Sequence, residues 1–88
     1  MTQYRKKLVL VDAVQWNDDK FSEKPDWLHE AIMDGSIDDH PTVKGAISVA
    51  TPAGRHRGDK GDWVVRNSDG DLFVWKPDNF AEVYEPVE

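Results

Sequence analysis

Hydrophobic and polar positions along the 88 residues divide the chain into short runs with different periods. In KKLVLVDAVQW, residues 6 to 16, Val9, Val11 and Ala13 fall on one side of an extended chain, and Leu8, Leu10, Val14 and Trp16 on the other. Both sides are apolar over most of the run, which predicts a central strand with Asp12 as its awkward member. The polar stretch NDDKFSEK predicts a loop anchored by Phe21. PDWLHEAIMDG then shifts to helical spacing. Pro25 stands near the first turn, Trp27, Leu28, Ala31 and Ile32 share one face, His29 lies on the exposed side, and Gly35 is the stop. A helix of about ten residues is marginal alone in water, so Trp27, Leu28 and Ile32 should dock it on a sheet.

From residue 44 onward the pattern predicts a meander. AISVAT is a strand, PAG a turn, RHR a return strand and GDKGD a tight connection, followed by WVVR, the NSDG turn and LFVWK. A three-residue loop Ser68-Asp69-Gly70, with Gly70 left-handed, sets Trp63 opposite Trp75, Val65 opposite Phe73 and Asp62 opposite Lys76. A two-residue Asp69-Gly70 loop would face Trp63 with Lys76 and mix charge with rings, so the first register is preferred. In KPDNF the proline cannot extend a strand, which predicts one helical turn with Phe80 inward. AEVYE should then resume extended structure with Val83 buried and Tyr84 at the margin. The sum is a single α+β domain over residues 1–88: a mostly antiparallel sheet, meander or barrel-like, with one helix docked near residues 25–34.

Composition narrows what such a domain can be. Without cysteine there is no disulfide framework and no thiolate metal site, as suits a reducing cytosol. Four tryptophans are an economical filling for a small core, since each buries roughly 150–250 Å². The basic cluster before the first apolar run lacks a proper h-region and a small-residue cleavage site, and no run approaches a membrane span, so an intracellular, cytoplasmic protein without membrane association is expected. Seventeen acidic residues against eleven Lys and Arg give a formal charge of −6, which disfavours direct nucleic-acid binding.

No catalytic constellation emerges, and no cofactor is implied. The serines lack an elbow context, the glycines lack phosphate-loop spacing, and no carboxylate pair stands out. Asp38, Asp39 and His40 come nearest to a metal cluster. Neighbours in an extended segment point to opposite sides and no second histidine joins them, so the reading is ordinary loop chemistry. Arg55, His56 and Arg57 are the better candidates for a binding site. On a strand, Arg55 and Arg57 project to one side about 7 Å apart and could hold a phosphate or carboxylate. An exposed ring, Trp16 or Trp75, could stack beside them. The competing and preferred reading is an edge strand whose charges prevent strand addition.

The pieces YRKK, AVQW, P-x-W-L-x-E-A-I-x-D-G, GDWVVR, KPDNF and YEPV, at Tyr4–Lys7, Ala13–Trp16, Pro25–Gly35, Gly61–Arg66, Lys76–Phe80 and Tyr84–Val87, span most of the chain. Together they resemble a family of small proteins of unknown activity encoded by tailed bacteriophages and prophages. The resemblance implies a phage accessory protein in the bacterial cytoplasm. Three functional expectations follow. The first is a non-enzymatic module that binds a host or phage protein through an exposed ring flanked by acidic residues, with inhibition of a host defence or DNA-processing enzyme as a variant if Asp18, Asp19, Asp34, Asp38 and Asp39 cluster. The second is a binder of a small anionic ligand such as a nucleotide. The third is a virion or assembly component that forms homo-oligomers by strand addition.

Overall fold

The structure, a computed structural model, describes residues 2–3, 10–16 and 25–86. In chain order these form β1 (Asp12–Gln15), α1 (Asp26–Met33), β2 (Ile37–Asp39), β3 (Ile47–Thr51), β4 (Gly54–Gly58), β5 (Trp63–Arg66), β6 (Leu72–Trp75) and α2 (Pro77–Val83). The strands make two antiparallel three-stranded sheets, ordered β1-β5-β6 and β2-β3-β4. The fold is α+β and mostly β, but the strands form two sheets and, among the described residues, no barrel closes.

The core lies between the two sheets and α1. Val14, Val64 and Val74 stand in one row across the first sheet. They meet Ile37, Ile47 and Val49 of the second, while α1 closes the space with Leu28 and Ala31, and Trp27 and Ile32 pack at its margin. The helix thus docks through the predicted residues. Where the sheets touch, Gly58 of β4 has no room for a side chain: a Cβ there would sit 3.0 Å from Ile47 Cγ1 and 3.8 Å from Val74 Cγ1. Trp16, just past β1, is buried in this core, and its indole N–H donates to the Gly45 carbonyl at 3.1 Å.

Several expectations need correction. Among the described strands the central place in the first sheet is taken by β5 and not by β1, because β5 carries the two valines, Val64 and Val65, that are buried on opposite faces. Asp12 is tolerated in β1 because Arg66, its cross-strand partner, donates to it at 2.8 Å. The meander breaks between β4 and β5. There the Asp59–Asp62 turn is tied to the end of β1 by Gly61 N–H to the Trp16 carbonyl and Trp16 N–H to the Asp62 carbonyl, each 2.8 Å, which sends β5 into the other sheet. Ile37–Asp39, read as loop, is strand β2; Ile37 supplies one buried residue and the ladder to β3 does the rest. α2 continues through Ala81, Glu82 and Val83, which were expected to be extended, and Val83 is 60% exposed rather than buried.

The last hairpin has the preferred register, Trp63 against Trp75 and Val65 against Phe73. Its loop is Ser68-Asp69-Gly70 with Gly70 at φ +88°, and Asn67 Oδ1 accepts the N–H groups of Asp69 and Asp71. The Phe21 anchor and the residues of the first strand before Leu10 lie outside the described residues. No helix among the described residues is long and apolar enough to cross a membrane.

Candidate functional site

Side chains alternate across a strand, so when Val64 and Val74 face the core, Trp63 and Trp75 must face the other way. On that rear face they would form an open aromatic shelf if α2 did not fold back over it. Pro77 at the first helical position starts the helix where β6 must stop. Lys76 pins the junction: its ammonium donates to the buried Asp62 carboxylate at 2.8 Å, and the same oxygen accepts the Asp59 N–H at 2.8 Å. That bond to Asp62, with the nearby Asp59 charge, raises the Lys76 pKa above its ordinary value.

Tyr84, the residue just past α2, donates its N–H to the Phe80 carbonyl at 2.8 Å, which keeps it next to Phe80. Phe80 lies flat on Trp63 with centroids 4.2 Å apart and planes 7° apart. Tyr84 meets Trp75 edge-on at 5.3 Å, and Phe80 and Tyr84 are themselves 5.1 Å apart. All four rings are half-buried. They knit α2 to the sheet although no residue of α2 is fully buried.

Between α2 and β1 a groove of about 750 Å³ remains. Leu10 to Ala13 form one wall, Trp63 and Phe80 the floor, and Ala81, Tyr84 and Pro86 the other wall. Leu10 is 66% exposed there. The charged residues of the lining, among the described residues, are Asp12 and Glu85. Across residues 77–86, PDNFAEVYEP, three carboxylates occur and no Lys or Arg.

The structure separates the residues expected to form an anion site. Arg55, His56 and Arg57 do sit on β4, an edge strand, with Arg55 and Arg57 on one face. Their guanidinium groups are engaged within the fold. Arg55 donates to the Gly35 carbonyl at 2.7 Å and to Ser48 Oγ at 3.3 Å, bracing the helix exit against β3. Arg57 makes a two-point pair with Asp59, at 3.1 Å from both Nε and Nη2. Neither expected stacking ring joins them. Trp16 is only 5% exposed and belongs to the core, because its indole fills the space beneath the Gly45 turn. Trp75 points away from β4, since its neighbour Val74 is the residue that approaches Gly58.

His40 has a local task. Its Nδ1 accepts the backbone N–H groups of Thr42 and Val43, at 3.2 and 3.0 Å, and so folds the turn that leads to Gly45. Asp38 and Asp39 are exposed on β2, and no group of three metal-ligating side chains occurs among the described residues. Asp34 has its pKa lowered by the side-chain and backbone hydrogen bonds of Ser36, in keeping with a capping role past α1. Asp18 and Asp19 of the acidic grouping lie outside the described residues. The groove itself escaped the sequence reading. Its one usable signal was the Phe80–Tyr84 spacing, which was obscured by reading Ala81 to Val83 as extended.

Comparisons with family models, with curated proteins and with solved structures return no match for this chain.

Proposed function

We propose that this protein is a non-enzymatic binding module, and that its contact surface is the aromatic groove between β1 and α2. In the phage setting that the sequence resembles, the partner is a host or phage protein. One observation carries the reading: half-buried Trp63, Phe80 and Tyr84, together with exposed Leu10, line a single open apolar groove. Aromatic rings with an apolar body and a partly wet edge are what protein contact surfaces are enriched in, and contiguous exposed apolar surface of this kind marks interaction sites. The groove is also large enough for a small molecule. Among the described residues, however, its charged groups are Glu85 and the Arg66-paired Asp12, neither of which attracts the anionic ligand otherwise to be considered, while Arg55 and Arg57 already have partners in the fold.

The test is selection of random dodecapeptides by ribosome display on the wild-type protein, with counter-selection on Ala81→Arg. Ala81 is exposed, so the arginine should fill the groove without disturbing the core. Enriched peptides that lose binding to Ala81→Arg support the reading. A selection that enriches nothing, or only peptides indifferent to the variant, defeats it.

A further inference from the structure

The chain contains two Asp-Gly pairs, Asp34-Gly35 and Asp69-Gly70. Glycine has no side chain to shield its amide nitrogen or to restrict the backbone, so an aspartate before it is well placed for rearrangement. The glycine nitrogen can attack the side-chain carboxyl carbon and close a five-membered succinimide. The fold treats the two pairs differently. Asp34-Gly35 is tied into the tertiary structure: Asp34 Oδ1 accepts the Ser36 N–H at 2.8 Å, the Gly35 carbonyl accepts Arg55 Nη2 at 2.7 Å, and the Ser36 carbonyl accepts the Ala50 N–H at 2.8 Å. Turning the Gly35 nitrogen onto Asp34 would disturb contacts with β3 and β4. The side-chain and backbone hydrogen bonds of Ser36 also lower the Asp34 pKa, which leaves less of the neutral carboxyl from which water can depart. Asp69-Gly70, by contrast, is exposed in the loop between β5 and β6. Its described hydrogen bonds stay within the loop. Asn67 Oδ1 accepts the Asp69 and Asp71 N–H groups at 3.1 and 2.9 Å, and the Asn67 carbonyl accepts the Gly70 N–H at 3.1 Å. A loop held by its own bonds can open while the rest of the fold stays closed.

We propose that Asp69-Gly70 is a site of spontaneous covalent modification in the folded protein, converting to isoaspartate, and that the contacts of Gly35 and Ser36 protect Asp34-Gly35 from the same reaction. The Gly70 nitrogen bonds to the Asp69 carboxyl carbon and gives up its proton, and the carboxyl hydroxyl leaves with that proton as water. Water then opens the ring. Attack at the side-chain carbonyl restores aspartate, whereas attack at the Asp69 main-chain carbonyl breaks the original peptide bond, frees an α-carboxylate and leaves the chain running through the former side chain. Mass and charge are unchanged, but the backbone gains one carbon. The loop that sets Trp63 against Trp75 is then too long for its turn, and the Asp69 and Asp71 N–H groups no longer converge on Asn67 Oδ1. The modified protein should therefore melt below the fresh one. This inference is independent of the groove and of what binds there.

The test is ageing of the intact protein at mildly acidic pH and body temperature, with one sample folded and one held unfolded in guanidinium chloride. Isoaspartate at each position is followed over weeks by mass spectrometry of tryptic peptides with electron-transfer dissociation, whose fragments distinguish it from aspartate. In the folded sample it should accumulate at residue 69 at least about fivefold faster than at residue 34, and in the unfolded sample the two rates should lie within about twofold of each other. Asp69→Glu keeps the charge but would need a six-membered ring, so it should form no such product and should keep its Tm on ageing, while aged wild type acquires a lower-melting population. Equal rates at the two positions in the folded protein, a faster rate at residue 34, or no product at residue 69 while the unfolded chain reacts would overturn the proposal. A preference for residue 69 that is as large in the unfolded sample would assign it to local sequence and remove the protective role of the Gly35 and Ser36 contacts. Modified protein that melts with the fresh sample would refute the effect on the hairpin.

Discussion

Replacing Phe80 with alanine should lower the stability of the whole domain, because α2 has no fully buried residue and rests on the sheet through its rings. Full burial of a phenylalanine is worth about 1.5–3 kcal/mol, so a half-buried ring contributes about 1 kcal/mol by transfer. The parallel contact with Trp63 at 4.2 Å adds about 0.5–1.5 kcal/mol. The sum is about 2 kcal/mol, a large part of the ~4–13 kcal/mol expected of a domain this size, and corresponds to a fall in Tm of about 8–16 °C. Urea unfolding followed by tryptophan fluorescence and by far-UV circular dichroism measures it, and Phe80→Leu, which keeps most of the transfer but loses the stack, should fall about halfway. A loss below about 0.5 kcal/mol in Phe80→Ala would mean that the ring does not hold α2. Equal losses in the leucine and alanine variants would mean that the stack itself adds nothing.

Three further outcomes follow from the packing and polar contacts. Gly58→Ala should cost about 1–2 kcal/mol by overpacking against Ile47, and Ile47→Ala, which removes the Cγ1 and Cδ1 that the new methyl would meet, should cost less in that background than in wild type; additive losses in urea titrations would count against the close approach. His40→Ala should cost about 1 kcal/mol by leaving the Thr42 and Val43 amides without their acceptor, whereas His40→Asn, whose side-chain oxygen can take the place of Nδ1, should recover most of it; equal thermal stabilities for the two variants would contradict the turn assignment. The Lys76 pKa is raised in the folded state, so its contribution is present below the ordinary lysine range and is lost as pH rises through the folded value. With the side chain 58% exposed the effect is small, roughly a few tenths of a kcal/mol, and the gap in Tm between wild type and Lys76→Met should narrow from pH 8 to pH 11; an unchanged gap would refute the linkage.

The helix, the strands from Ile47 onward and the register of the last hairpin were legible because each rests on local spacing. Four-residue apolar repeats can only stack on a helix face, and a two-residue period can only divide a strand. The three-residue loop closing on Gly70 follows from the same near-neighbour logic, and so does the placement of both indoles, Trp63 and Trp75, on one face. β2 was missed because its ladder to β3, rather than any local apolar run, makes Ile37–Asp39 a strand. The longer α2 was missed because rings far apart in sequence hold it in place.

By itself, the sequence determined that the fold is small and α+β, that a short helix must dock through Trp27, Leu28 and Ile32, and that two indoles share a face. Tertiary structure alone decided that the strands divide into two sheets, that Trp16 belongs to the core, that the arginines of β4 are engaged within the fold, and that an aromatic groove lies between β1 and α2. The physical reason is range. Periodicity reports which side a residue faces within its own element, whereas burial, edges and grooves depend on which elements meet, and here contacts such as that of Trp16 with the Gly45 and Gly61 turns settle it across tens of residues.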